Sequence, residues 1–346
     1  MPDRIVASTA PEWRDAAREM LIDALPDARF QLLGEDLIAI SAEGLAIADV
    51  ARIVQEERNP FIRHLFREVG RIDVSGRQTV EETVDAMLDA LDELPVPLPP
   101  AASLQVWSSG PVNLAFRPDT LRRELDAALT EEGVRVGRAG MAQVISACIT
   151  GNTILIGVNG AASALSDWPG GRVRLSKPKG QISRSEFKLE ELFRTTELTP
   201  PRRGVALDLG ASPGGWTRIL RGYGLDVVAV DPADLDPRLR DDPHVRHVRT
   251  TAGAFLKDTS ERFDIIVNDM RMDPAMSTGL MIQAAGLLEP GGMMILTLKL
   301  SPHGAVRAVR DALARLDEVV QVRLARQLHH NRNEITVAAT LPHTSR

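Results

Sequence analysis

At 346 residues the chain is long enough for two or three domains, each with its own core, and its 44% hydrophobic and 25% charged content are those of a soluble globular protein. No apolar run approaches the length of a membrane span, and the opening MPDRIVAST has no signal-peptide hydrophobic stretch, so a cytoplasmic location is expected. A net charge of -6 argues against a surface coated in positive charge, and the single cysteine, Cys148, excludes an internal disulfide and any cysteine-based metal cluster.

The first 77 residues read as a strand, a helix over 11–25, strands, a helix over 47–55 and a strand, a small α+β unit. A second segment opens with Thr79 and Glu82 at capping-box spacing and puts Val80, Val84, Met87 and Leu91 on one helical face. VPLPPA at 96–101 is a stiff, proline-rich connection. A strand at 104–107, a helix over about 120–129 closed by Gly133, and apolar runs at 143–149 and 153–158 complete a second α+β unit over 78–171. Cys148 lies in the first of those apolar runs, flanked by Ala147 and Ile149, and is read as a buried structural thiol. From Gly171 to Arg203 nine Lys or Arg stand against four Glu, so a basic linker over 172–203 interrupts an acidic chain. Leading into a nucleotide-binding domain, it reads as a polyanion track, the plain alternative being a solvated connection.

The run DLGASPGGWT, Asp208 to Thr217, follows an apolar strand at 205–207 and precedes a helix-compatible stretch at 216–220, which makes a strand-loop-helix for a nucleotide. Gly210, Gly214 and Gly215 are expected to let a ligand approach the backbone closely. Trp216 stands where a P-loop needs Lys, and Ser212 breaks the dinucleotide fingerprint, so the loop favours a nucleoside without a pyrophosphate, of which S-adenosylmethionine is the obvious case. Asp208, Gly210, Ala211, Ser212, Pro213, Gly214, Gly215 and Trp216 are the candidate contacts from this loop. DVVAVD at 226–231 is a second strand ending in Asp231, placed to accept ribose hydroxyls. Then come FDIIVNDM (263–270), a helical stretch to Leu288, a turn EPGG (289–292), MMILTLKL (293–300), a helix from about 305 to 316, and strands near 319–324 and 334–340. This alternation predicts an α/β fold, a mostly parallel, doubly wound Rossmann-like sheet over 204–343, with its ligand site at the carboxyl ends of the strands.

Four charged residues invite chemistry: Lys188 in SRSEFKLEE, Asp269 in VNDM, Lys299 in LTLKL and Glu334 in NRNEITVAA. Each alone reads blandly, as a helix-surface charge, a helix cap, a lysine snorkelling from a strand end or a strand-edge charge. Lys299 ends an otherwise apolar strand, where desolvation and a second lysine would depress its pKa as a general base needs.

The set SRSEFKLEE, DLGASPGGWT, VNDM, LKL and RNEITVAA resembles, in matching order across 183–340, the FtsJ-like ribose 2′-O-methyltransferases with their Lys-Asp-Lys-Glu tetrad. QLHHNRNEITV and LSDWPGG (165–171) are similar to the RlmM branch of that family, whose members methylate a cytidine ribose of 23S ribosomal RNA. The resemblance implies a class I methyltransferase domain that binds S-adenosylmethionine through the loop, Asp231 and Asp269. It also implies a ferredoxin-like unit over 1–77 and a THUMP RNA-binding domain over 78–171. By the same resemblance Lys299 is the general base, Asp269 and Lys188 position the hydroxyl, Glu334 holds the lysines, RNA is the partner, and no metal is required. The acidic residue that the family places near the adenine has no counterpart around Thr251 to Gly253. Base methylation fits less well, because Cys148 lies outside the catalytic domain and NDMR (268–271) stands where amino-group enzymes carry an NPPY-like motif. A small-molecule O-methyltransferase and a catalytically silent RNA-binding or ribosome assembly factor remain as alternatives.

Overall fold

A computed structural model describes residues 4–74, 79–94 and 97–342, and the chain divides into two compact units, Met1–Arg172 and Val173–Arg346. In the first unit the order is β1 (Arg4–Ser8), α1 (Arg14–Ala24), β2 (Arg29–Leu32), β3 (Leu37–Ser41), α2 (Ile47–Glu56), β4 (His64–Asp73), α3 (Val80–Asp92), β5 (Ala101–Val112), α4 (Pro118–Glu131), β6 (Arg135–Gly137), β7 (Gln143–Gly151), β8 (Thr153–Gly160) and α5 (Ala161–Ala164). The strands form one sheet in the order β2-β3-β1-β4-β8-β7-β5-β6.

The boundary expected between residues 77 and 78 lies outside the described residues, as does Val96 of the proline-rich connection. The strands on either side of that boundary are not in separate sheets, because β4 pairs antiparallel with β8 and each covers the other's open edge. Gly151 at φ +55 and Asn152 make the tight hairpin between β7 and β8. The capping box of α3 is present: Thr79 Oγ1 accepts from the Glu82 N–H at 3.2 Å, and the Glu82 carboxylate accepts from the Thr79 N–H at 2.9 Å. Met87 and Leu91 of α3 and Leu121, Leu125 and Leu129 of α4 pack on Ile145, Ala147, Ile149, Ile154 and Ile156 of the sheet. Cys148 is buried, as its apolar neighbours imply.

In the second unit the order is α6 (Glu186–Thr195), β9 (Val205–Leu209), α7 (Gly215–Gly222), β10 (Asp226–Val230), α8 (Pro237–Arg240), β11 (Val245–Val248), α9 (Ala252–Asp258), β12 (Phe263–Asn268), α10 (Pro274–Ala285), β13 (Leu288–Lys299), α11 (Ala305–Asp317), β14 (Gln321–Arg326) and β15 (Glu334–Thr340). The sheet order is β11-β10-β9-β12-β13-β15-β14, parallel from β11 to β13, with β15 antiparallel to both its neighbours. This is the predicted doubly wound sheet. The order reverses between β9 and β12, so a crevice opens beyond their carboxyl ends.

Three local expectations change. The turn expected at EPGG is instead part of the 12-residue β13; the pairing jumps from Phe263↔Leu288 to Ile265↔Met293, so 289–292 bulge out of the ladder around Gly291 at φ +80. The helix expected to reach Leu288 ends at Ala285. Residues 172–203, expected as a linker, carry α6, whose Leu189 and Leu192 share one face and are buried with Trp216, Leu220 and Leu225.

Gly157 sits where β8 meets β4, and an added Cβ would lie 2.4 Å from Phe66 Cδ2 and 2.7 Å from the Arg67 carbonyl oxygen. Gly157→Ala is therefore expected to lower unfolding free energy by about 1–3 kcal/mol, read from denaturant titration, since backbone cannot yield as a side chain can.

Candidate active site

The four predicted charges meet. Lys188 comes from α6, Asp269 directly follows β12, Lys299 ends β13, and Glu334 opens β15 directly opposite Lys299 in the antiparallel ladder. Lys188 Nζ donates to both oxygens of Asp269, at 2.9 and 3.0 Å, and pairs with Glu334 Oε1 at 2.5 Å. Lys299 Nζ donates to Asp269 Oδ1 at 2.7 Å, to Thr297 Oγ1 at 2.9 Å and to Glu334 Oε2. Two cations thus share two carboxylates.

The side chains are mostly withdrawn from water, from 6% exposed at Glu334 to 22% at Lys299. Burial alone would raise the Asp269 carboxyl, but Lys188 and Lys299 outweigh it and hold the group below the usual carboxylate range. Burial would likewise lower Lys188, yet Asp269 and Glu334 raise it above the ordinary lysine value. Lys188 is therefore a firmly held cation, and it shares Asp269 with Lys299.

The glycine loop is built differently from the expectation. A Cβ on Gly210 would meet Met270 Cγ at 2.0 Å, one on Gly214 would meet Leu239 Cδ1 at 2.1 Å, and one on Gly215 would meet Ser183 Oγ at 2.1 Å. The space their missing side chains leave is filled by protein, so these glycines serve close packing, and Gly210 and Gly214 also supply φ of +72 and +110. Ala211 belongs to a small apolar cluster with Ala229, Leu235 and Leu239. Trp216 is buried in the core, its Nε1 donating to the Ser185 carbonyl at 2.9 Å; it anchors the segment before α6. Asp208 is buried and accepts from Thr217 Oγ1 at 2.6 Å. Asp231 accepts from the Ser212 N–H at 3.1 Å and the Ala233 N–H at 2.8 Å, tying the loop to the end of β10. Pro213 is exposed, and its carbonyl accepts from the Asp236 N–H at 2.9 Å.

Several residues outside the predicted set hold the site together. Thr297 is fully buried and donates to Asp269 Oδ1 at 2.7 Å. Asn331 accepts from the Leu328 N–H at 2.8 Å and from Thr336 Oγ1 at 3.1 Å, and offers its amide to Glu334 at 3.4 Å. Glu191, one turn beyond Lys188, accepts from the N–H groups of His329 and His330, at 2.7 and 2.9 Å, and from His330 Nδ1 at 2.6 Å. That clamp fixes α6 to the loop leading into Glu334. Glu186, fully buried, accepts from the Ile182 and Ser183 N–H groups, at 2.5 and 3.1 Å, and pairs with Arg218 at 2.5 Å. Thr297 and Thr336 stood at period two from Lys299 and Glu334, which is the one signal that could have placed them on the same face.

A doubly wound sheet with this Lys-Asp-Lys-Glu cluster at its carboxyl ends has the form of an FtsJ-like methyltransferase, and the family of that description matches residues 181–319. Ribosomal RNA large subunit methyltransferase M of Alkalilimnicola ehrlichii is 35% identical over 278 residues, 75% of this chain and 74% of that protein. The protein of the same description from Halorhodospira halophila is 41% identical over 175 residues, 50% of this chain and 51% of its own, so that match spans about half its length. The Pseudomonas putida KT2440 protein is 32% identical over 226 residues, 61% of this chain and 62% of its own. The chain belongs to the ribosomal RNA large subunit methyltransferase M family.

The residues present fit S-adenosylmethionine. Helix α7 begins at Gly215 with no side-chain cap, leaving first-turn N–H groups for a carboxylate. Asp231 keeps unused lone pairs at the end of β10, one strand away, where ribose hydroxyls could donate. Among the described residues no group of three or more His, Cys, Asp or Glu could hold a metal ion.

Burial, opposed by the Thr217 hydrogen bond and reinforced by Asp269, pushes the Asp208 carboxyl up to about 7 from an ordinary 3.8. Between those values the folded chain keeps a proton that the unfolded chain has lost. Stability therefore falls as pH rises through that window and levels off above it, by on the order of 4 kcal/mol in all. Asp208→Asn should remove the fall and be the more stable protein at pH 8, read from denaturation midpoints between pH 5 and 8.

Proposed function

We propose that the chain transfers a methyl group from S-adenosylmethionine to a ribose 2′-hydroxyl of RNA, on a cytidine of 23S ribosomal RNA, in the cytoplasm. The observation that carries this reading is the pair of lysines held on one carboxylate, Asp269, beyond the strand ends and beside the glycine loop. That the relatives are ribosomal RNA large subunit methyltransferases supports the large ribosomal RNA as substrate. The cofactor supplies a methyl group already activated by a sulfonium. The chain's work is to bind, to orient the hydroxyl and to take its proton.

In this reading Lys299 Nζ takes the 2′-hydroxyl proton. Lys188, raised by its two carboxylates, keeps the positive charge of the cluster and steadies Asp269. Glu334 touches both lysines and holds their spacing. The backbone N–H groups of the loop 210–216 and the Asp231 carboxylate are assigned to the cofactor. Residues 1–77 and 78–171 are assigned ferredoxin-like and THUMP-like roles in gripping RNA. Of the nine cations between 171 and 203, Arg172, Lys188 and Arg194 pair with carboxylates within the fold. Arg174, Lys177, Lys179, Arg184, Arg202 and Arg203 are exposed and supply the polyanion track.

Lys299→Ala should leave S-adenosylmethionine affinity nearly intact and cut single-turnover methyl transfer to RNA by about 10²–10⁴-fold, the range for a positioned base. Lys299→Arg should not rescue, because guanidinium stays protonated. An arginine variant with wild-type rate would make Lys299 an electrostatic anchor instead. Binding without any transfer by the wild type would favour the silent RNA-binding reading.

RNA affinity should fall by about 10³-fold between 50 and 200 mM salt if the six exposed cations meet phosphates. Lys177→Glu with Lys179→Glu should flatten that slope in filter-binding titrations. An unchanged slope would remove the segment from the RNA surface.

A further inference from the structure

We propose that Thr297 is a positioning residue of the same reaction, holding Lys299 through its hydroxyl; this rests on the reading of Lys299 as the base. Residues 293–298 are Met, Met, Ile, Leu, Thr and Leu, so Thr297 is the one polar side chain in a buried run of a central strand. Valine has the same shape and suits such a strand equally well, whereas a hydroxyl costs free energy there unless it is bonded. The hydroxyl at 297 is therefore best explained by the bonds it makes.

Those bonds have fixed directions. The Lys299 ammonium can only donate and the ionised Asp269 carboxylate can only accept, so Thr297 Oγ1 accepts from Lys299 Nζ at 2.9 Å and donates to Asp269 Oδ1 at 2.7 Å. Lys299 Nζ also reaches Asp269 Oδ1 at 2.7 Å, which closes a triangle of three polar atoms. Thr297 lies two residues before Lys299 on the same face of β13, and its β-branched side chain is stiff at χ1. The lysine stem is flexible by contrast, and the two carboxylates attract it without fixing its direction. Thr297 is also the one uncharged partner of Nζ. The expected effect is on the chemical step and not on binding.

The experiment compares Thr297→Val, Thr297→Ala, Thr297→Ser and Lys299→Ala in methyl transfer to ribosomal RNA, with folding checked by thermal denaturation and cofactor binding by calorimetry. Thr297→Val and Thr297→Ala should lose about 10–100-fold in kcat with KM for RNA and affinity for S-adenosylmethionine unchanged, the scale of a base misplaced by about 1 Å. Thr297→Ser, which keeps the hydroxyl, should return to within about threefold of wild type, on the same positioning argument. Wild-type kcat in the valine or alanine variant overturns the proposal. So does a serine variant as slow as the valine variant, because shape and not the hydroxyl would then matter. Should Thr297→Val not fold, the alanine and serine pair decides alone. Lys299→Ala separates the two levels. If it is dead while Thr297→Val is fully active, only the role of Thr297 fails; if it transfers methyl at the wild-type rate, the assignment of the base fails and the role of Thr297 with it.

Discussion

Asp269 accepts four hydrogen bonds from three side chains that arrive from two elements, and the rest of the second unit is arranged so that they can. A buried carboxylate between two ammonium groups is stable only as part of a set: desolvating each charge is costly, and taking away one partner leaves another uncompensated, at about 3–5 kcal/mol. The set closes because Glu334 supplies the second negative charge. Two cations and two anions then balance within a few ångströms. Helix α6 cannot drift from the sheet without exposing that balance, and the Glu191 clamp on the 329–330 backbone adds a second tether one turn away.

The antiparallel pairing of β13 with β15 gives the cluster its geometry. It sets Lys299 opposite Glu334 and Thr297 opposite Thr336, so the polar groups of both strands emerge on one face. A slip of one residue would turn one strand's set to the other side. The ladder is long enough to resist this, running from Met293↔Thr340 to Lys299↔Glu334. Register here decides whether the charge cluster forms at all.

Much of this was legible in the sequence for a physical reason. Charges at the ends of apolar strands are costly, so Asp269 and Lys299 stood out, and the alternation of strands and helices announced the doubly wound sheet. What was not legible depends on contacts across long separations. Gly210, Gly214 and Gly215 looked like room for a ligand because a sequence does not show that Met270, Leu239 and Ser183 fill that room. Trp216 looked like a cofactor contact and proves to be a core residue anchoring residue 185. The bounds of helix α6 were hard to read inside a basic stretch because Leu189 and Leu192 share its buried face with two acids, Glu186 and Glu191. The joining of β4 to β8 within the first unit could not be read because the two strands lie some eighty residues apart, and pairing over such a separation leaves no local mark.

The position of β15 bears on the order in which the chain can become active. It lies between β13 and β14 although it follows both in sequence, and it brings Glu334. The clamp on α6 likewise waits for His330, which comes 139 positions after Glu191. During synthesis Lys188 emerges early and has neither its acidic partner on β15 nor its tether until that strand inserts between two already made. Contacts of such long range form late and slowly. Completion of the charge cluster is thus coupled to completion of the sheet, and a chain interrupted before residue 334 has the glycine loop without the second carboxylate of the cluster.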